Sequence, residues 1–393
     1  MKARYLTFLG LFGAALVALL SCSDPIYATI ETEKKTDTNT LGLTLNIYDI
    51  AVPAPGNYYV AAGGVFQGIL NGTTVTWTPN SNDSSRPFNP KGAICNALAY
   101  LLSANRLFGG FFTQSGNLGL YKSASGGNYS FGPGYGTPIT ATASPGEQVT
   151  LLRSANGVLF MGGTNAQGTY ELDYSLTDGT TWTQEIPTLA YPITGVGYDG
   201  PTNENYWAVS SPTVPPGSTN TTTAVVYKSN TNPTSFSQYL TSPVPSGDQV
   251  NGVFGDSVGP TGGHVFLATR QNGIYWSKDG GSNWYNISAD SQNNLPVSYL
   301  CVAGPVDSPG GSVYIAGSDG YGYYTFTLSD SSLDHDRFGD STILLYTSSV
   351  SCVAADNLGA TNNVLMGTNA NGLWRGVFDS SGNLASGQSW THE

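Results

Sequence analysis

The sequence predicts an all-β chain folded as a seven-bladed β-propeller of four-stranded antiparallel blades, set behind a cleaved signal peptide and a short tether. Three observations predict this. Residues 1–22 have the charge and length layout of an export signal. The composition is rich in Gly (50) and Tyr (24) and only 10% charged, which suits strands and polar turns rather than helices. One unit of short strands also recurs seven times along the rest of the chain.

The signal comes first. Lys2 and Arg4 give a positive start, and Leu6 to Leu20 form an uncharged apolar run too short for a comfortable membrane-spanning helix. Leu19-Leu20-Ser21-Cys22 resembles a lipobox, in which a small residue precedes a Cys that is acylated and becomes the mature N-terminus. The resemblance implies cleavage after residue 21 and attachment of palmitate-type chains to Cys22. Each buried methylene would contribute about 0.8 kcal/mol, so several chains hold a protein firmly to a membrane. The expected location is outside the cytoplasm, lipid-anchored to a bacterial cell envelope, in the periplasm or at the cell surface. Residues 22–40 carry the lipidated Cys and a Thr-, Lys- and Glu-rich stretch without apolar periodicity, read as a tether. That stretch is also a candidate to add a strand to the last blade and close the ring.

Residues 41–393 are read as the propeller. Copies open near Leu45, Ile94, Val149, Ile193, Val250, Val297 and Val350. The clearest copy, Val250–Ser288, divides into strands near Val250–Gly255, His264–Thr269, Gly273–Ser277 and Asn283–Ile287. The second strands are continuous apolar runs such as Val158-Leu159-Phe160-Met161-Gly162-Gly163 and Val313-Tyr314-Ile315-Ala316-Gly317. Four strands in about fifty residues is the size of one blade. A lone blade has two open faces. Seven stacked around an axis bury both faces of every sheet and leave only short edges.

Charge narrows the partners. Without Lys2 and Arg4 the chain keeps 26 acidic and 14 − 2 = 12 basic side chains, a formal charge of −14. Scattered bases on an acidic protein exclude a nucleic-acid footprint, which needs clustered Lys and Arg. Cys95, Cys301 and Cys352 lack zinc-site spacing, and their odd number leaves at least one unpaired within the chain. Cys301 and Cys352 align at equivalent inner-strand positions of neighbouring blades. Facing sheets stand about 10 Å apart, so all three are expected as buried free thiols.

Ser277-Lys278-Asp279-Gly280-Gly281-Ser282-Asn283-Trp284 resembles the Asp-box, Ser-x-Asp-x-Gly-x-Thr-Trp, with Asn283 at the Thr position. Ser175, Thr177, Gly179, Thr181 and Trp182 keep its spacing without the Asp, and Ser229, Thr231, Ser235 and Phe236 keep its outline. The resemblance is to Asp-box β-propellers, here on a bacterial lipoprotein. That group includes sialidases, some endoglucanases, sorting-receptor ectodomains and photosystem assembly factors. It implies a structural role for Ser277, Asp279, Gly281 and Trp284: a carboxylate bonded to backbone N–H groups, a Gly at positive φ, and a Trp buried against its blade.

The sequence offers no catalytic set. The Arg-Ile-Pro signature of sialidases is absent, no carboxylate pair stands out for glycoside hydrolysis, and there is no Gly-x-Ser-x-Gly elbow. Asp334-His335-Asp336 opens like a calcium loop, but Phe338 replaces the third ligand and Leu345 the closing Glu, so it reads as an acidic loop after blade six. His264, His335 and His392 are isolated. No metal or cofactor is expected. The loops between second and third strands and between blades supply the ligand-face candidates Arg86, Phe88, Tyr135, Tyr191, Arg270, Asp319 and Tyr321. The pattern favours a binding or scaffold module for a protein or glycan. The alternatives are a carbohydrate-active enzyme, marked by two carboxylates about 5–10 Å apart in a central cleft, and a structural surface protein with no specific ligand.

Overall fold

The computed structural model describes residues 45–79, 93–113, 116–123, 148–165, 167–213, 222–230, 232–240, 242–256, 263–287, 298–306, 313–328, 344–358, 361–379 and 384–393. They form seven separate antiparallel sheets in chain order, each a meander with no crossover. The fold is a seven-bladed β-propeller, as the repeat predicts. The signal peptide, Cys22 and the tether lie outside the described residues.

Blade one comprises β1 Asp49–Ala54, β2 Asn57–Ala61, β3 Val65–Asn71 and β4 Thr74–Pro79. Blade two has β5 Ile94–Leu101, β6 Arg106–Thr113 and β7 Gly116–Lys122. Blade three runs through β8 Gln148–Ala155, β9 Val158–Thr164, β10 Tyr170–Ser175 and β11 Thr183–Leu189. Blade four consists of β12 Ile193–Tyr198, β13 Asn205–Ser210, β14 Val225–Asn230 and β15 Ser237–Gln238. Blade five follows with β16 Val250–Asp256, β17 His264–Thr269, β18 Ile274–Ser277 and β19 Tyr285–Ile287. Blade six supplies β20 Tyr299–Val306, β21 Val313–Ser318 and β22 Tyr323–Thr327. Blade seven closes the order with β23 Val350–Leu358, β24 Thr361–Thr368, β25 Leu373–Phe378 and β26 Thr391–His392. Five blades therefore carry four strands, and in blades two and six the described residues supply three. The first inner strand begins at Asp49, four residues after the expected opening at Leu45.

The apolar second strands are continuous because both their faces are buried. Every residue of β13, β17 and β21 is buried. Side chains alternate between faces with period two. Val265 and Leu267 of β17 thus pack with Trp207 and Val209 of blade four, while Phe266 and Ala268 pack with Tyr314 and Ala316 of blade six. The same sharing produces an apolar cluster at each of the seven blade junctions, including blade seven against blade one, where Leu365 and Leu373 meet Ile47, Tyr58 and Val60. Each fully buried Val, Leu or Phe contributes about 1.5–3 kcal/mol.

The junctions also share polar ties. In six blades the inner strand opens on a bulge. The extra residue is polar in five of them. Asn96 Nδ2 donates to Val149 O (2.9 Å), Asn251 Nδ2 to Tyr299 O (2.7 Å) and Ser351 Oγ to Ile47 O (2.6 Å), each in the next blade. Thr150 and Thr194 donate instead to carbonyls of their own second strands. At the opposite end of the inner strand, Asp256 and Asp356 occupy equivalent positions. Each accepts a tyrosine hydroxyl from the following blade, Tyr314 at 2.7 Å and Tyr58 at 2.6 Å. The Asp356 bond, with burial as the larger cause, raises the Tyr58 pKa.

Among the described residues, blade seven has four strands, all from residues 350–392; the stretch considered for an added closing strand lies outside the described residues. Closure repeats the junction before it: Gly322 N–H donates to Ser348 O between blades six and seven, and Gly372 N–H donates to Leu45 O between blades seven and one. A buried set of side chains is added there. Arg375 Nε donates to Glu393 Oε1 at 2.6 Å, Arg375 Nη2 to Thr73 O at 2.7 Å, and Trp77 Nε1 to Glu393 Oε2 at 3.0 Å.

Near the axis, blades four and five approach more closely than facing sheets do, and glycine makes this possible. A Cβ on Gly255 would lie 2.3 Å from Tyr198 O and 2.5 Å from its N and C; one on Gly195 would lie 2.3 Å from Val253 N. These neighbours are backbone and have nowhere to go. Gly255→Ala is expected to cost about 2 kcal/mol. Gly63→Ala, where a Cβ meets nothing within 4 Å but φ is +68°, should cost only about 1 kcal/mol. Urea denaturation of the two variants checks the order, and equal midpoints would refute the close-approach account.

Candidate functional site

The seven inner strands surround a central channel of about 540 Å³, lined at one end by Asn251, Ser351 and Thr194 and at the other by Asn156 and Ala155. Its wall is made mostly of small groups, because converging strands leave little room. At the level of Arg153, the ladder partners place Ala51, Ala99, Gly197, Phe254 and Ala354 in the other inner strands. One level towards the bulged end, Ala97, Leu151, Gly195, Gly252, Cys301 and Cys352 are equivalent to Asp49.

Asp49 and Arg153 are the charged pair among the described lining residues. Arg153 Nη1 lies 2.7 Å from Asp49 Oδ2, although blade two stands between their strands. Asp49 also accepts Leu98 N–H and Ile50 N–H, both at 3.0 Å. Burial works against the Arg153 charge, but the Asp49 carboxylate outweighs it and holds the guanidinium pKa above its usual value.

Cys95, Cys301 and Cys352 are free thiols, the first and last buried and Cys301 half-buried. Loss of hydration dominates all three. It pushes Cys301 up to about 12, with the nearby Arg153 charge pulling the other way, and raises Cys95 and Cys352, where Asp49 adds to the effect. These thiols are neutral at neutral pH and poor nucleophiles. Cys301 Sγ and Cys352 Sγ each face a carbonyl of the next blade, Val350 O and Ile47 O. They act as small wall residues.

Four of the expected ligand-face residues share one face of the ring, the face carrying the second-to-third strand turns and the openings of the inner strands. Arg270 and Asp319 occupy equivalent places in adjacent blades: Arg270 N–H donates to Gln249 O, and Asp319 N–H to Ser298 O. Asp319 is exposed and accepts Ser349 Oγ at 2.6 Å. Tyr321 is 51% exposed. Tyr191 is half-buried, and its carbonyl accepts Ser210 Oγ. Arg86, Phe88 and Tyr135 lie outside the described residues. Tyr48, 38% exposed just before the start of β1, joins this face and was missed because it sits inside the unit rather than in a loop. Asp248 was also missed. It is buried and accepts Gln271 N–H, Gln249 N–H and Asn272 Nδ2, so it braces the loop carrying Arg270.

The Ser277–Trp284 turn lies on the opposite, outer rim. Asp279 accepts Asn283 N–H (2.8 Å), Asn283 Nδ2 (2.6 Å) and Ser277 Oγ (2.9 Å). Burial alone would raise the Asp279 pKa; these bonds outweigh it and hold it below the usual carboxylate range. Gly281 has φ of +90° and donates to Ser277 Oγ. Trp284 is half-buried in the apolar cluster shared by blades four and five, with Val265 and Leu267 of its own blade, and stands edge-on to Trp207 of the preceding blade, 5.7 Å between centroids. Lys228 Nζ and Tyr239 OH of blade four donate to Gly280 O and Gly281 O. The degraded copies do the same: Trp182 packs in a cluster with Phe108 of blade two, and Phe236 stands 6.1 Å from Phe160 of blade three. This turn clamps neighbouring blades and holds no reactive group.

The Asp334–Asp340 loop and His335 lie outside the described residues. His264 is held between Phe266, Trp276 and Tyr314, with Nδ1 3.6 Å from Asp256. His392 stacks edge-on to Trp374. Among the described residues no group of three or more His, Cys, Asp or Glu gathers around a metal position.

No protein-family model matches the chain, and no curated protein matches it in sequence. Solved structures do. The WD40 β-propeller domain of Doa1 is similar over 90% of this chain and 95% of its own, with a TM-score of 0.55 and 11% identity. YCF48 bound to D1 peptide is similar over 85% of this chain and 94% of its own, with a TM-score of 0.54 and 13% identity. YCF48 from Cyanidioschyzon merolae covers 86% and is covered over 96%, with a TM-score of 0.52 and 13% identity. At such identities the likeness shows the fold.

Proposed function

We propose that this chain is an envelope-anchored lipoprotein, held by acyl chains on Cys22, whose propeller binds a protein partner through the face bearing Tyr191, Arg270, Asp319 and Tyr321. One observation carries the binding reading. Among its described lining residues the central channel holds a single carboxylate, Asp49, and that carboxylate is already engaged by Arg153 and two backbone N–H groups. The rest of the wall offers hydroxyls, amides, thiols and small apolar groups, which suit recognition more than acid–base work. Exposed Tyr48 and Tyr321 supply the aromatic surface that protein interfaces favour. That a propeller of similar fold, YCF48, is found with a D1 peptide bound supports a protein segment as the partner class.

The test has two parts. Cys22→Ser should move the protein from the membrane fraction to the soluble fraction and remove the acyl mass increment. The full chain, cross-linked in the envelope, should yield a defined partner. The D319K/Y321A variant, changed only at exposed positions, should capture that partner about tenfold less. Unchanged fractionation would overturn the anchor, and equal capture by the variant would overturn the assigned face.

A further inference from the structure

We infer that Arg153 is a receptor for a carboxylate group carried by a protein segment that enters the central channel. This deepens the binding reading above and rests on it.

Arginine carries five N–H donors in a planar fork. In this chain Nη1 is spent: it donates to Asp49 Oδ2 and to Leu152 O, at 2.7 and 2.8 Å. Nε and Nη2 donate to no acceptor among the described residues, and neither is buried. The side chain is 39% exposed in the channel wall, whereas its Asp49 partner is only 7% exposed. Nε and Nη2 lie along one edge of the fork, the edge that takes a carboxylate side-on with two parallel bonds.

The surroundings suit such a ligand. Asp49 fixes the guanidinium, so little freedom remains to be lost on binding. Asp49 itself is satisfied by three donors and leaves the outer edge of Arg153 turned to the channel. A purely structural ion pair has no need of an unpartnered arginine edge in a channel wall at a level where Ala51, Ala99, Gly197 and Ala354 are small and Phe254 is large. A channel of about 540 Å³ admits the end or an acidic side chain of an extended segment.

The test uses the full chain and two immobilised tetrapeptide pools, randomised in sequence and tethered at their N-termini. One pool ends in a free carboxylate and excludes Asp and Glu. The other ends in an amide and contains Glu at each position in turn. Retention on the first pool identifies a C-terminal carboxylate as the ligand, and retention on the second an acidic side chain. Arg153→Lys keeps a positive charge beside Asp49 but loses the fork, and should lower retention about tenfold with the melting temperature held. D49N/R153Q, which removes both charges and so leaves neither buried alone, should lose retention altogether. Absence of retention on both pools, or retention by Arg153→Lys equal to the parent, would overturn the inference. Capture of the envelope partner separates this from the broader reading. A partner held equally by the parent and by Arg153→Lys refutes the carboxylate receptor alone, while no partner for either refutes the binding module itself.

Discussion

Replacing Glu393 by Gln is expected to lower the unfolding free energy by about 3–5 kcal/mol, the usual cost of leaving one member of a buried ion pair uncompensated. Glu393 and Arg375 are each only 5% exposed. Both carboxylate oxygens of Glu393 accept donors, Arg375 Nε and Trp77 Nε1. Glutamine keeps one acceptor oxygen, so the substitution removes the charge that balances the guanidinium and sets an NH2 against one of those N–H groups. Arg375 would still reach Thr73 O and Asn363 Oδ1, but with no counter-charge. These side chains tie blade seven to blade one: Arg375 and Glu393 of blade seven reach Thr73 O and Trp77 Nε1 of blade one. Arg375→Met combined with Glu393→Gln removes both charges and should recover more than half of the loss, since paired removal is often close to neutral. Guanidinium denaturation of the parent, both single variants and the double variant forms the cycle. A double variant no more stable than either single would mean that the latch contributes packing rather than charge balance.

The repeat, the number of blades and the second strands were legible because a strand buried on both faces leaves a continuous apolar run. The Val250 copy shows how far this reaches. Its expected strands match β16 to β19 within two residues at each boundary. Two further periodic signals were present and went unread. A polar residue follows the apolar opening in Asn96, Thr150, Thr194, Asn251 and Ser351, where a bulge turns it to bond carbonyls of its own or the next blade. An Asp stands at the far end of three inner strands, at Asp199, Asp256 and Asp356. Asp199 accepts Asn205 N–H and Trp207 Nε1 of its own blade, whereas Asp256 and Asp356 reach the next.

The channel site was less legible. Asp49 and Arg153 are 104 residues apart and share no motif. Their meeting depends on the radius at which seven inner strands converge, which no local pattern encodes. The thiols show the same limit. The expectation of free Cys301 and Cys352 used the spacing of facing sheets, but the contacts at Gly195 and Gly255 show that strands near the axis come far closer. What keeps these sulfurs apart is direction, each one turned towards the next blade's carbonyl. The contact of Trp284, Trp182 and Phe236 with the preceding blade was equally invisible, because a turn motif specifies its own hairpin and not the neighbour it meets.

Raising the pH from 5 to 8 is expected to destabilise the chain by about 3 kcal/mol relative to an Asp173→Asn variant. Asp173 and Glu171 lie two residues apart on β10 and so share a face. Their cross-strand partners are Met161 and Gly163, and Met161 packs in the apolar cluster between blades two and three. Asp173 Oδ2 and Glu171 Oε1 are buried without a hydrogen-bond partner. Glu171 Oε2 accepts Gln184 Nε2 at 2.6 Å. Burial first, and then the like charge of Glu171, push Asp173 up to about 8; burial raises Glu171 as well. The unfolded chain releases the Asp173 proton near pH 4, while the folded chain keeps it to about 8. Between those values the folded state binds more protons than the unfolded one, so stability is full below pH 4, falls as pH rises and levels off above 8. Asparagine at 173 mimics the protonated side chain and does not titrate, so the gap between variant and parent should widen across that window. Glu171→Gln removes the like charge and should move the steep part of the parent's curve to lower pH. Urea midpoints taken every half pH unit on the three proteins give the result, and parallel curves for parent and Asp173→Asn would show that this carboxyl is ionised in the fold and balanced by a group outside blade three.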